Sequence, residues 1–232
     1  MRIDPTQALI AYAGITTATI AYVLLTAAAP APRDATFESI DVGRINVREP
    51  DGTIRMIISS QAQAPGIIIK NREYPHPTRR SAGMIFYNQE GTENGGLIFD
   101  GQRDRTGMLH SGGSLTFDRY QQDQVVQMVA QQDGAEKMAG FNIFDRPDRL
   151  IDFRVLSRLK TIPAAQRQAL YAKAGIGGAK RMFIGRDTDG SSRVALRDGT
   201  GRERLVLSVS DAGDARIDFL DGAGKIVRSV TP

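Results

Sequence analysis

The chain of 232 residues has no cysteine, no tryptophan and only two histidines, His76 and His110. Without cysteine there is no disulfide, no thiolate metal site and no cysteine nucleophile, and with two histidines most histidine-built metal centres are excluded as well. Aromatic residues make up 6% of the chain, too few for the stacking platforms that hold single-stranded nucleic acid. No run of five like charges occurs, although the net charge is +4 and 24 of the 30 basic residues are arginine. Acids and bases alternate closely, as in Arg48-Glu49, Arg103-Asp104-Arg105 and Arg202-Glu203-Arg204. That interspersion reads as a solvated, mixed surface and not as a polyanion-binding stripe, so no nucleic-acid partner is expected. A phosphate loop, a dinucleotide fingerprint, a His-Glu-x-x-His pair and a Gly-x-Ser-x-Gly elbow are all missing. No cofactor and no resident metal are expected.

What the chain does have begins with "ALIAYAGITTATIAYVLLTAAA", residues 8–29, a run without a charge. As a helix it would be about 33 Å long, enough to cross the apolar part of a bilayer. It is predicted to anchor the chain in the membrane after a short tail (1–7). The competing reading is a cleaved signal peptide, which Ala27-Ala28-Ala29 permits and which Pro30 and Pro32 disfavour. Gly14 and Ala18 form a small-x-x-x-small pair that would let another helix approach closely, and Thr16, Thr17 and Thr19 offer hydroxyls to helix carbonyls or to a partner. Arg2 precedes the span and Arg33, Arg44 and Arg48 follow it. That count alone favours a cytoplasmic C-terminus, whereas the signal-like layout favours export. The expectation adopted is a single pass through the bacterial inner membrane with a periplasmic body.

After a linker (30–36) the pattern becomes that of a mainly β protein. "RINVREPDGTIRMIIS" (44–59) reads as a hairpin turning at Asp51-Gly52, "GIIIK" (66–70) as a short strand, and "AGMIFYN" with "GGLIFDG" as a second hairpin. "DQVVQMVAQQDGAEKMAGFNIFD" (123–145) reads as a third, turning at Asp133-Gly134. In the last fifty residues Gly190, Gly201, Gly213 and Gly224 lie 11, 12 and 11 apart, one strand plus one turn each. Acids precede these glycines, and Arg193, Arg204 and Arg216 follow three of them. The recurring unit is a turn in which an acidic side chain caps backbone N–H groups and glycine takes positive φ. "IPAAQRQALYAKAG" (162–175) has the Pro start and Gly stop of a short helix near 163–174. The predicted layout is therefore a main β region (37–158), a helical insertion (159–180) and a C-terminal β-meander (181–232). The antiparallel meander could close as an irregular barrel, a sandwich or a small propeller.

"RINVREPDGTIRMIIS", "AGMIFYNQEGTENGGLIF", "LTFDRYQQDQVV" and "FNIFDRP" occur in an order that resembles a widespread family of uncharacterised bacterial proteins. The resemblance covers about residues 37–148. It implies a β fold and, in many members, an N-terminal anchor; it brings no activity and no functional residue.

The densest collection of polar groups is "NQEGTENGGLIFDGQRDR", residues 88–105. Glu90, Glu93, Asn94 and Asp100 are oxygen donors, but their spacing is not that of a calcium loop, and Glu90-Gly91 fits the turn template. "DTDGSS" (187–192) comes nearer to a calcium loop and lacks its distal glutamate. Arg79 and Arg80, after His76, could meet an anion or an acidic partner. His110 lies near Ser111 and Ser114. Candidate partner-binding residues are Gly14, Ala18, Arg79, Arg80, Glu90, Glu93 and Asn94. The expected function is non-catalytic: an accessory subunit, packed on other membrane-protein subunits of an energy-transducing, photosynthetic or envelope assembly and held in the lipid bilayer through residues 8–29. The alternative is a membrane-tethered envelope enzyme or ligand-binding module with its site around residues 76–110.

Overall fold

The computed structural model describes residues 4–27, 34–76, 79, 81–152, 169–171 and 173–232. It falls into two compact units, Met1–Asp41 and Val42–Pro232. The first holds helix α1, Pro5–Ala27. Asp4 starts it: its carboxylate accepts the Thr6 N–H at 3.1 Å and its carbonyl the Ala8 N–H at 3.0 Å. Asp followed by Pro is an N-cap and first-turn pair, so the helix begins before the apolar run does. Thr16 and Thr19 hydroxyls donate back to the carbonyls of Tyr12 and Ile15 at 2.9 and 2.8 Å. One stretch of this helix, Pro5–Leu25, is long and apolar enough to cross a membrane, a test that a signal sequence also meets.

The second unit is mainly β. A long antiparallel sheet contains β1 (Arg44–Arg48), β2 (Ile54–Ser59), β5 (Ala82–Tyr87), β6 (Glu93–Arg103), β7 (Leu109–Asp118), β8 (Gln124–Asp133) and β9 (Glu136–Asp145). It continues with β10 (Ala179–Arg186), β11 (Ser192–Arg197), β12 (Glu203–Val209), β13 (Ala215–Leu220) and β14 (Ile226–Val230). These twelve strands pair in that order, with β3 (Ile67–Ile69) and β4 (Arg72–Tyr74) as a separate hairpin. The meander is open: β1 and β14 are its two edges and do not pair with each other. The predicted helix near 163–174 lies mostly outside the described residues. Ala169–Tyr171 and Lys173 are helical, and the chain turns at Ala174-Gly175 with Gly175 at φ 78°.

The turns repeat one hydrogen-bond pattern. In 187–191, 198–202 and 221–225 the first N–H donates to the fifth carbonyl, and the glycine N–H at the fourth position donates to the first carbonyl. The same holds for 49–53, 88–92, 104–108 and 210–214. The first side chain caps the loop: Asp198 Oδ1 accepts from Thr200 N at 2.9 Å and Arg202 N at 3.2 Å, and Asp221 Oδ1 from Ala223 N and Lys225 N. Asp133-Gly134 differs. There Gly134 and Ala135 form a two-residue hairpin loop between the paired Asp133 and Glu136, with Gly134 at φ 61°, where glycine enters without strain.

Register divides the sheet into two unlike faces. One row runs Ile45, Ile58, Met84, Leu97, Leu115, Met128, Phe141, Ile184, Val194, Leu207, Ile217, Val230, one residue from each of the twelve strands. All are apolar and none is buried. Beside it on this face runs Val47, Met56, Phe86, Gly95, Phe117, Val126, Ile143, Met182, Leu196, Leu205, Phe219, Arg228. The opposite face carries Ile57, Ile85, Thr116, Gln127, Asn142, Phe183, Ala195, Val206 and Asp218, most of them buried. It holds both core clusters: Ile54, Ile57, Ile68, Ile85 and Tyr87 with Ile98, and Phe183, Ala195 and Val206 with Met138 and Leu220. Arginine ladders cover the C-terminal part, Arg193 bridging Asp187 at 3.0 Å and Glu203 at 2.9 Å.

The β3–β4 hairpin lies on the first cluster and is tied down by its tip. Lys70 and Asn71 have φ 49° and 62°. Asn71 Oδ1 accepts the Ile54 N–H at 2.8 Å, its own N–H donates to the Gly91 carbonyl at 3.1 Å, and Lys70 N–H donates to Thr92 Oγ1 at 3.0 Å. Asn71→Ala removes the Ile54 acceptor and leaves alanine at positive φ. A loss of about 2 kcal/mol is expected, read as a lower denaturant midpoint at unchanged slope.

Candidate functional site

The residues singled out in the sequence go to different places. Gly14 and Ala18 are exposed on α1, and a Cβ on Gly14 would meet nothing within 4 Å. Arg80 lies outside the described residues. Asn88, not Glu90, caps the 88–92 turn, its Oδ1 accepting from Glu90 N at 2.9 Å and Thr92 N at 3.1 Å. Glu90 reaches outward and accepts from the Tyr120 hydroxyl at 2.9 Å, which raises the tyrosine pKa. Asp100 accepts from Ser81 Oγ at 3.0 Å. His110 stands between two carboxylates, Nδ1 2.9 Å from Asp133 and Nε2 3.3 Å from Asp104. Asp100, His110 and Asp133 share a groove of about 350 Å³ with Ser81, Ser111 and Ser114; Glu90, Glu93 and Asn94 do not line it. Asp187 of "DTDGSS" is taken up by Arg193 on β11 and Asp189 by Ser191 of its own turn.

Glu93 belongs to a cluster that only the fold brings together. Phe86 pairs with Gly95 but Tyr87 with Glu93, so Asn94 is the extra residue of a β-bulge, the device that re-aims a side chain. Glu93 thereby turns to the core face, where it pairs with Arg79. Arg79 also donates to the Gly66 carbonyl at 2.7 Å, under the β3–β4 hairpin. A second irregularity, between Phe117 and Asp118, ends β7 at Asp118. Asp123 immediately precedes β8 and accepts from Arg146 at 3.3 Å. Arg146 also donates to the Gln124 carbonyl at 2.6 Å.

Three carboxylates, two guanidiniums and the Tyr87 phenol thus share one end of the sheet. Among the described residues, three of their buried atoms find no hydrogen-bond partner: Tyr87 Oη, Glu93 Oε2 and Asp118 Oδ1. Burial pushes Asp118 up to about 7, with Glu93 and Asp123 adding to the rise and Arg146 and Arg79 opposing it. Burial likewise raises Glu93, against Arg79, and raises Tyr87 with help from Glu93. Chemically the cluster holds a proton near neutral pH, the property of a general acid or base. Among the described residues no group of three or more His, Asp and Glu is arranged to hold a metal ion.

The larger feature is the apolar face. Phe99 and Met128 are each 55% exposed on it. Two shallow grooves run along it, about 690 Å³ by Val194, Leu207 and Ile217 and about 600 Å³ by Leu115, Met128 and Phe141, with Ile184 in both. Beside the first apolar row runs Phe99, Gly113, Ala130, Ala139, Arg186, Ser192, Val209 and Ala215, whose small members leave this depth. Neither the linear sequence nor the turn spacing shows this face directly, because it appears only once register aligns one residue from each strand. Fold and surface together define an open antiparallel β-meander with one unbroken apolar face, preceded by an apolar helix. A scan against protein-family models finds no match, and a search of curated proteins finds none either.

Proposed function

We propose that the chain is a non-catalytic, membrane-anchored structural subunit of a larger bacterial assembly, held in the lipid bilayer through α1. The observation that supports it is the apolar face. Monomeric soluble proteins seldom expose apolar patches beyond a few hundred Å², and here one bulky row stays unburied across all twelve strands, with a second, broken by Gly95 and ending in Arg228, beside it. A face of that extent suits protein contact. The exposed Gly14 and Ala18 would serve the same end within the membrane. The signal-like start favours a periplasmic body. A reporter fused after Pro232 and active only outside the cytoplasm is the expected result for orientation.

The test is the size of the protein after mild-detergent extraction of native membranes. Migration far above the 25.3 kDa of the chain is expected, and Met128→Asp should reduce it. A lone monomer that Met128→Asp leaves unchanged overturns the proposal. A second reading, a tethered envelope enzyme or ligand-binding module, draws on the neutral-pH acid at Asp118 and on the groove of Asp100 and His110. It requires an activity or ligand that is lost in Asp118→Asn or His110→Gln while the fold persists.

A further inference from the structure

We infer that the apolar face is covered by the same face of a second copy of this chain, giving a two-layer β-sandwich across a two-fold axis. The inference rests on the reading of the chain as an assembly subunit and names its first partner.

Three observations favour a copy over another occupant. The first is extent. Twelve strands about 4.8 Å apart make the face roughly 50 Å long, and two bulky rows spanning about 14 Å give on the order of 700 Å² per chain. Stable pairs bury about 600–1,000 Å² per partner, and one copy against another falls within that range. The second is chemistry. The first apolar row contains no charge, and the second ends in Arg228 at edge strand β14; Arg186 in the small row donates to the carbonyls of Lys137 and Asp187 at 2.7 and 3.3 Å, so it enters the contact hydrogen-bonded rather than bare. The ion-paired Arg193, Glu203 and Arg216 lie on the other face.

The third is shape. A bulky row (Leu115, Met128, Phe141) runs beside a row that is small on the same strands (Gly113, Ala130, Ala139). A two-fold axis between the two rows, in the plane between the sheets, sets each bulky row over the partner's small row. Such a contact is isologous and closes at two copies. Facing sheets then stand about 10 Å apart, the spacing of packed sandwich layers.

The absence of cysteine makes the test clean, since any introduced thiol is the only one. Met128→Cys on the apolar face and Gln131→Cys on the opposite face of the same strand are each treated in native membranes with a short bifunctional maleimide. The expected result is an adduct of twice the chain mass from Met128→Cys and none from Gln131→Cys. Two differently tagged copies should appear together in that adduct. An adduct of Met128→Cys with a different protein overturns self-pairing and leaves the assembly reading standing. No adduct, with the chain extracted as a monomer carrying phospholipid on this face, overturns both. An equal yield from Gln131→Cys marks random collision and overturns the inference. Leu207→Asp, on the same face, should shift the purified chain from dimer to monomer elution while its β-sheet circular dichroism is kept; retention of the dimer also overturns it.

Discussion

Gly95→Ala should cost about 4 kcal/mol, the sum of a backbone conformation closed to L residues and a steric clash. Gly95 has φ 131°, and a Cβ there would sit 2.3 Å from the Thr116 carbonyl oxygen on the next strand. Backbone cannot move aside as a flexible side chain can. Gly96 is pressed from the other side, its Cβ position 2.7 Å from the Met84 carbonyl oxygen. The Gly95-Gly96 pair is therefore where β5, β6 and β7 crowd together. Gly213→Ala is the contrast: φ is 95°, yet nothing lies within 4 Å, so only the conformational cost of about 1–2 kcal/mol remains. In a domain this size Gly95→Ala should lower Tm by roughly 10 °C. Equal losses at the two positions would show that the close approach at β6 carries no weight.

Asp118 sets a pH dependence opposite to that of ordinary acid denaturation. Its pKa is about 7 in the folded chain against an ordinary aspartate value of 3.8. The folded state therefore binds the proton more tightly than the unfolded one between those values. Stability from this group is complete below about pH 4 and is lost as pH rises through 7. Glu93, also raised by burial, acts in the same direction. Asp104 and Asp198 are lowered by side-chain hydrogen bonds from Thr106 and Thr200 first of all, and their stabilisation is lost only on acidification through the folded pKa, below the window from pH 5 to 8. From pH 8 to pH 5 the wild type should gain about 2–3 kcal/mol from Asp118, at 1.36 kcal/mol per pK unit. Asp118→Asn should flatten the profile and be the more stable chain at pH 8. Parallel profiles for the two chains in urea titrations would refute this account.

The turns were legible in the sequence because their chemistry is local. Acid, glycine and a polar residue within five positions define the loop, and the spacing of Gly190, Gly201, Gly213 and Gly224 sets the strand length. The hairpins of 44–59 and 123–145 followed from the same signals. Asp51 shows a limit: it sits beside the glycine and caps only Thr53, while Glu49 occupies the first position of that turn. In 88–92 the short amide Asn88 took the cap that Glu90 was expected to make, because a side chain two bonds from the backbone folds back over the loop more readily.

Non-local features could not be read. β4 is three residues of mixed polarity and is a strand only because β3 pairs with it. The Glu93 cluster gathers strand ends from residues 79 to 146, and the bulge that turns Glu93 inward is a property of pairing. The apolar face was present in the alternation of each strand, as in Val126, Met128 and Ala130 against Gln127 and Gln131. Its continuity needed the register of all the strands.

The linear order of the sheet also bears on how the chain reaches this state. From β5 to β14 each strand pairs with its neighbour in sequence, so each new strand closes a loop of a few residues, apart from the crossing from β9 to β10. Loops of that size close at little entropic cost, and contacts dominated by near neighbours accompany fast folding. The sheet can thus grow by successive addition of hairpins from a nucleus, in the manner of repeat proteins. Each step presents a fresh unpaired edge and a longer apolar face. A chain that assembles in this way has its greatest exposure at the moment the sheet is finished, which ties the completion of folding to the arrival of whatever covers the face.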